Sequence, residues 1–461
     1  MRRILVAGTA SGVGKTTITL AIEAALRRRG MVVQPFKCGP DYLDTTHHSA
    51  ICGRVCRNLD TVMLSAQENR ASLQRASHGA EIVIAEGMMG LFDGVSGGSG
   101  RGSSAEIAKM LHLPVLLVMD ASRSSRSLAA TLLGFSTFDK NVTIAGVILN
   151  RVSGESHFQM LAEAIHGTTN IPILGWIPKN SAWSIQERHL GLHDANEQPW
   201  TEAKMDSLAE IAEKHLDLDR LVELASVAAI PGALPEPVQS ARPDSAVRIG
   251  VARDEAFSFY YEDNFDLLRD YGAEIVEFSP LHDAQLPEKI DALYLGGGYP
   301  ELHAKALSDN RGMLEAVRRF CRAGRPVYAE CGGMMFLADS IIANGASCPM
   351  AGVLPLSIEM SSHLVKFGYV KVRFHQDCIL GPAGTEATGH SFHYSKIKSA
   401  AEIGMAYSLE YLRSGRLEAE GYSIGNILGS YVHLHFRTNH QLPRNLIDAA
   451  ISSRARKTPV L

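Results

Sequence analysis

The stretch RRILVAGTASGVGKTT, residues 2–17, decides how this chain is read. RILVA is apolar on consecutive positions, the pattern of a parallel β-strand covered on both faces rather than on one. A glycine-rich turn follows, and then TTITLAIEAALRRRG, which has helical periodicity and stops at glycine. A turn of this kind exposes backbone N–H groups at a helix N-terminus, where they and the helix dipole favour phosphate. Gly12, Gly14 and Thr17 are candidate ATP-binding residues of the loop, with Lys15 placed to reach the outer phosphates and the Thr16 hydroxyl to hold Mg2+. The usual pattern has glycine six positions before the lysine. Here that position is Thr9, with Gly8 one residue earlier, so the loop is a variant.

The same alternation continues outward. MVVQPF, EIVIAEG, PVLLVMD, TIAGVILN and IPILGWI read as further buried strands with amphipathic segments between them, which predicts a doubly wound α/β domain over residues 1–224. Residues 225–246 contain four prolines and little apolar periodicity, and read as a linker. The α/β rhythm restarts with VRIGVARD, AEIVEFSP, DALYLGGGYPE and RPVYAECGGMMFL. GYVKVRF and SIGNILGSYVHLHF, each read as strand, close a second domain over 247–440, and 441–461 is expected as a tail.

At 461 residues the chain exceeds what one core ordinarily supports, consistent with this division. A formal net charge of -4 offers no electrostatic attraction to nucleic acid or to an anionic membrane, so an anionic substrate must be held by local cations. No apolar stretch has membrane-spanning length, and the first residues lack a signal-peptide core. The seven cysteines are odd in number and scattered, which predicts reduced thiols and a cytoplasmic location. Cys52 and Cys56, near His47 and His48, have no second Cys/His pair at zinc spacing and are expected as ordinary thiols.

Two segments bring acids to the loop. KCGPDYLDTTHH places Lys37, Asp41 and Asp44 after the second strand, and EGMMGLFDG places Glu86 and Asp93 after the third. Ligands of open α/β sheets bind at this edge. Asp44 and Glu86 are therefore candidates for holding Mg2+, and Lys37, Asp41 and Asp93 for orienting an acceptor, with helix or turn capping as the competing role for each carboxylate. Asn150 and Arg151, in GVILNRV, are candidates for reading an adenine edge or a phosphate.

A second chemistry lies further along. In RPVYAECGGMMFL, Cys331 follows a strand and precedes two glycines and a helix, the form of a nucleophile elbow. Gly332 and, from LGGGYPE, Gly298 are candidate oxyanion donors. The thiol needs a base, and SYVHLHF supplies His433 and His435, which strand alternation sends to one face.

Together GTASGVGKTT, KCGPDYLDTTHH, RNLD, EGMMGLFDG, LGGGYPE, AECGGMMFL, GHSFHYS and SYVHLHF resemble the cobyrinic acid a,c-diamide synthases, the CobB/CbiA family of cobalamin biosynthesis, over nearly the whole chain. The resemblance implies a dethiobiotin-synthetase-like ATP domain joined to a class I glutamine amidotransferase domain. It implies amidation of the a and c acetates of a corrinoid with ATP, Mg2+ and glutamine. It also implies Cys331 as nucleophile and His433, ahead of His435, as the residue that activates it. Class I amidotransferases commonly carry His-x-Glu; this chain has His433-Leu434-His435, so the third triad member is expected to be absent. Ser391 stands where the family usually has glutamate. His390, His393 and Tyr394 are candidates for substrate contact, and a homodimer is a further expectation. Hydrogenobyrinate and nickel sirohydrochlorin are alternative substrates, and a nucleotide-switched ATPase of the ParA/MinD kind is the rival from another class.

Overall fold

The computed structural model describes residues 1–179, 187–188, 191–192, 199–228, 246–400 and 403–455. The chain divides into two compact units, Met1–Pro235 and Glu236–Leu461. Most of the expected linker, residues 229–245, lies outside the described residues.

In the first unit β1 (Arg2–Gly8), β2 (Val33–Cys38), β3 (Arg57–Leu59), β4 (Ile82–Glu86), β5 (Val115–Asp120), β6 (Ile144–Val152) and β7 (Ile173–Pro178) form a parallel sheet in the order β3-β2-β4-β1-β5-β6-β7. The consecutive apolar residues of β1 have a direct cause. Ile4 and Val6 enter the core on one face, under the helices Lys15–Arg28 and Glu202–His215, while Leu5 and Ala7 enter a second core on the other. β1 is central, and its C-terminal end carries the glycine-rich loop. β3, only three residues long, has too little pattern to be seen in sequence. Ser226 bridges back to Arg3, so the packed part of this unit runs past residue 224. β8 (Glu187–Arg188) and β9 (Gly191–Leu192) form a small antiparallel pair.

The second unit has β10 (Val247–Ala252), β11 (Ala273–Phe278), β12 (Ala292–Leu295) and β13 (Val327–Glu330) as a parallel core. β14 (Ala338–Ala343), β15 (Ala346–Pro349), β16 (Leu354–Met360) and β19 (Ser395–Ala400) form a separate four-stranded sheet. β17 (Lys366–Phe374), β18 (Glu386–His393), β20 (Gly404–Tyr411), β21 (Leu417–Ile424), β22 (Ile427–Ser430) and β23 (Val432–Leu434) extend the core sheet in the order β11-β10-β12-β13-β22-β21-β20-β17-β18-β23. SIGNILGSYVHLHF is therefore not one strand. Its first residues end β21, and the rest breaks at Tyr431, because the Glu420 carboxylate accepts from Ser430 Oγ and from Tyr431 N, both at 2.7 Å. β22 pairs with β13 and β23 pairs with β18, so one residue separates two strands that are far apart in the sheet order. The segment expected as a tail begins with the helix Gln441–Ala455, whose Leu442, Leu446 and Ala450 are fully buried in the core.

Candidate functional sites

At the end of β1 the chain turns through Gly12 (φ 74) and Gly14 (φ 94) into the helix that starts at Lys15. These are left-handed values that glycine adopts without steric cost. A Cβ on Gly14 would lie 2.2 Å from Nδ2 of Asn150. The displaced glycine also has a reason: a Cβ on Gly8 would meet Val13 at 2.6 Å and the Lys15 stem at 2.9 Å, so the loop packs onto that residue. Lys15 folds over the loop and donates from Nζ to the Ala10 carbonyl at 2.9 Å, and burial pulls its ammonium below the usual lysine range.

Thr16, in the first turn, donates from Oγ1 to Glu86 at 2.7 Å, with Asp44 Oδ2 at 3.4 Å. Lys37, on β2, donates to Glu86 at 2.8 Å and also to Asp44. Thr16, Lys37, Asp44 and Glu86 thus converge, as expected. Asp41 reaches the same group, its Oδ2 4.0 Å from Lys37 Nζ, while its Oδ1 accepts from the amides of Leu43 and Asp44 at 3.0 and 2.9 Å and caps the helix Leu43–Cys52. Burial and the neighbouring Asp44 push its carboxyl up to about 7. Asp93 accepts from Gly90 N at 2.8 Å and closes a turn.

Asn150 and Arg151 engage the loop itself. Asn150 Nδ2 donates to Val13 O at 2.8 Å; Arg151 donates to Gly12 O at 2.9 Å and pairs with Asp120. Both brace the loop backbone. Thr17 follows Thr16 within the helix.

Sequence reasoning missed Glu23 and His48. Both are fully buried, and the imidazole spans two carboxylates, Nδ1 to Glu23 at 2.7 Å and Nε2 to Glu86 at 2.6 Å. Burial alone would pull His48 down, but Glu23 and Glu86 outweigh it and raise it to about 10. Burial would likewise raise Glu86, yet Lys37 and His48 hold it well below the carboxylate range. One signal was available: His48 lies four residues after Asp44, on the same helix face. Cys52 and Cys56 are buried thiols, His47 accepts from the Trp200 indole at 2.9 Å, and no cluster of metal-ligating His, Cys, Asp and Glu occurs among the described residues.

In the second unit Cys331 sits between β13 and the helix Gly332–Leu337 with φ 46 and ψ -101, a strained value for a residue with a side chain. Burial pushes its thiol up to about 12, with Glu301 acting in the same sense and the Gly332 amide against it. The expected oxyanion glycines meet: a Cβ on Gly332 would lie 3.1 Å from Gly298 N. A Cβ on Gly297 would lie 2.4 Å from Cε1 of His433, so the imidazole packs directly on this glycine run.

His433, on β23, is opposite His390 in register, and its Nδ1 is 3.7 Å from Oε2 of Glu330. The His-x-Glu position is His435, as read from the sequence, but a different acid lies near the His433 ring. It comes from the residue before the nucleophile instead of the second residue after the histidine. His435 lies beyond the end of β23, its ring centroid 4.7 Å from that of Tyr261, with Nδ1 accepting from Arg437 N at 3.4 Å. His390 and His393 are buried, and burial pulls them down to about 3 and about 4. His393 stacks on Tyr431 at 3.8 Å. Ser391 is buried between them in sequence, and Tyr394 separates β18 from β19.

Residues 4–192 match the CobQ/CobB/MinD/ParA nucleotide binding domain, and residues 248–441 match the CobB/CobQ-like glutamine amidotransferase domain. The cobyrinate a,c-diamide synthase of Syntrophotalea carbinolica is 44% identical over 451 residues, 97% of this chain and 98% of its own. The chain belongs to the cobyrinate a,c-diamide synthase family. The proteins of that name from Listeria monocytogenes and Priestia megaterium are 42% and 40% identical, over 95% and 97% of this chain and 97% and 96% of theirs. Membership makes this chain an amidating ligase with a glutamine amidotransferase domain, and sets aside the ParA/MinD-like ATPase, which has no use for such a domain. No helix among the described residues is long and apolar enough to cross a membrane.

Proposed function

We propose that this chain amidates the a and c acetate carboxylates of cobyrinate, with ATP as activator and glutamine as nitrogen donor. The observation that carries the reading is the charge arrangement at the loop, where two buried lysines, two carboxylates and a hydroxyl meet at the end of a phosphate-binding turn. A carboxylate does not accept ammonia directly, because its oxygen is a poor leaving group. Transfer of the γ-phosphoryl group to that oxygen gives an acyl phosphate, which ammonia attacks with loss of phosphate. Lys15 offsets the repulsion between the two anions as they approach.

The Thr16 hydroxyl with the Glu86 and Asp44 carboxylates is an all-oxygen donor set, which fits Mg2+: this ion takes one or two carboxylates and completes its shell with phosphate and water. When bound it neutralises phosphate charge. Lys37, seated on the same carboxylates, keeps their charge balanced.

In the second unit His433 takes the Cys331 proton as sulfur attacks the glutamine amide carbon, and the Gly298 and Gly332 amides receive the developing oxyanion. Ammonia leaves with that proton, and water hydrolyses the thioester to glutamate and regenerates the thiol.

The test is ADP release with glutamine or ammonia on cobyrinate, hydrogenobyrinate and nickel sirohydrochlorin in parallel. The reading expects cobyrinate to be preferred, and expects Cys331→Ser to lose glutamine-dependent amidation while keeping the ammonia-dependent reaction. Full glutamine-dependent activity in that variant rejects the nucleophile, and a preference for either other macrocycle rejects the substrate.

A further inference from the structure

Glu330 is the last residue of β13, and it is buried. Its Oε1 accepts from the Tyr328 hydroxyl at 2.6 Å and from the Leu434 amide at 2.9 Å, and its Oε2 accepts from the Tyr294 hydroxyl at 3.0 Å. The same Oε2 is the atom 3.7 Å from Nδ1 of His433. The strand that carries the histidine is gripped from the other side as well: Asn264 donates to the Leu434 carbonyl at 2.8 Å and accepts from Phe436 N at 2.7 Å. The Cε1–Nε2 side of the imidazole lies against the glycine run, since a Cβ at Gly297 would sit 2.4 Å from Cε1 and 3.1 Å from Nε2. The ring therefore spans from the carboxylate to the glycine turn.

We propose that Glu330 is the positioning carboxylate of the glutamine-hydrolysing site, doing from the residue before the nucleophile what the Glu of His-x-Glu does from the residue after next. The inference rests on the Cys331–His433 reading above. A carboxylate at Nδ1 can only accept, so it selects the tautomer with the proton on Nδ1 and makes Nε2 the nitrogen that accepts the thiol proton. When Cys331 gives up that proton, the imidazolium formed lies beside an anion already held in place by two tyrosines and a backbone amide. The proton then leaves from Nε2 with ammonia, and Nδ1–H never moves. At 3.7 Å the contact is an ion-pair approach and longer than a hydrogen bond, and such contacts tighten when substrate is bound. His390 and His393 on β18 also face His433, and burial favours the neutral form of both. Glu301 acts on Cys331.

The test is glutamine-dependent turnover of the full chain with Glu330→Gln, which keeps an acceptor for Leu434 N but presents an amide to the ring, and with Glu330→Asp, which keeps the charge. Ammonia-dependent amidation reports the first unit, and the thermal transition of the second unit reports folding around Glu330. The expected result for Glu330→Gln is a kcat lower by roughly tenfold to a thousandfold with KM for glutamine unchanged, less than the about 10⁴-fold loss when a serine-protease triad loses its acid, because this contact is longer. Glu330→Asp, its carboxylate drawn back by one methylene, should fall between wild type and Glu330→Gln. A loss confined to KM, or equal losses in both variants, marks Glu330 as a staple for β23 and overturns the proposal. Wild-type kcat in Glu330→Gln does the same, and should the Gln variant not fold, a loss in Glu330→Asp confined to KM does so. Cys331→Ser, run alongside, separates this from failure of the underlying reading: full glutamine-dependent activity there removes the nucleophile itself.

Discussion

Lys15 lies against its own loop, its ammonium on the Ala10 carbonyl. On the role proposed for it, a lysine held against the loop meets ATP without moving far, so Lys15→Ala should abolish ADP release with either nitrogen source; unchanged turnover would remove the loop from the reaction. Gly297 offers the matching experiment at the other site. A methyl there would enter the space of His433 Cε1, 2.4 Å away. Gly297→Ala should therefore lose glutamine-dependent amidation by about tenfold or more, because small displacements of catalytic groups are costly, and keep the ammonia-dependent reaction. Equal activity with both nitrogen sources in this variant would mean that His433 need not stay where it is.

β18 carries His390 and His393, both buried and both pulled well below the usual histidine value of 6.5. Each is held neutral in the fold, while the unfolded chain takes up a proton more readily. Their contribution to stability is thus fully present above about pH 6.5 and is lost as pH falls through about 4 and about 3. Urea midpoints of the second unit should decline on acidification across that window, and His390→Phe, which keeps a ring among Phe367, Tyr369 and Phe392, should flatten the decline. A slope that His390→Phe leaves untouched would contradict the assignment.

Apart from the short β3, the strands of the first unit were legible because burial on both faces makes most of their residues apolar on consecutive positions. The break at Tyr431 was not, since it depends on Glu420, which is eleven residues away in sequence and belongs to another strand. Cys331 and Lys15 announced themselves through local turns. Glu330, Glu23 and His48 did not, because a buried polar residue inside an element reveals its purpose only through partners that folding brings to it.

At the scale of the whole molecule, each unit encloses its own hydrophobic clusters. Those of the first contain only residues between Ile4 and Ala225, and those of the second are built on residues from Val247 onward. A ligand that binds only the native form of one unit stabilises that unit by mass action, about 2.7 kcal/mol at a hundred times its Kd. ATP with Mg2+ should accordingly raise the calorimetric transition of the first unit alone. Lys15→Ala should abolish the shift and Cys331→Ser should preserve it. A shift of both transitions, or of neither, would contradict the assignment of nucleotide binding to the first unit.

The backbone at Cys331 has a consequence for how this protein can vary. At φ 46 and ψ -101 a residue with a Cβ is strained by roughly 1–3 kcal/mol, and glycine is not. Cys331→Gly should therefore melt at a higher temperature than Cys331→Ala, though both lack the thiol. On the role proposed for Cys331, the use of glutamine keeps a cysteine where the backbone would favour glycine, and the fold carries that strain for as long as it draws nitrogen from an amide.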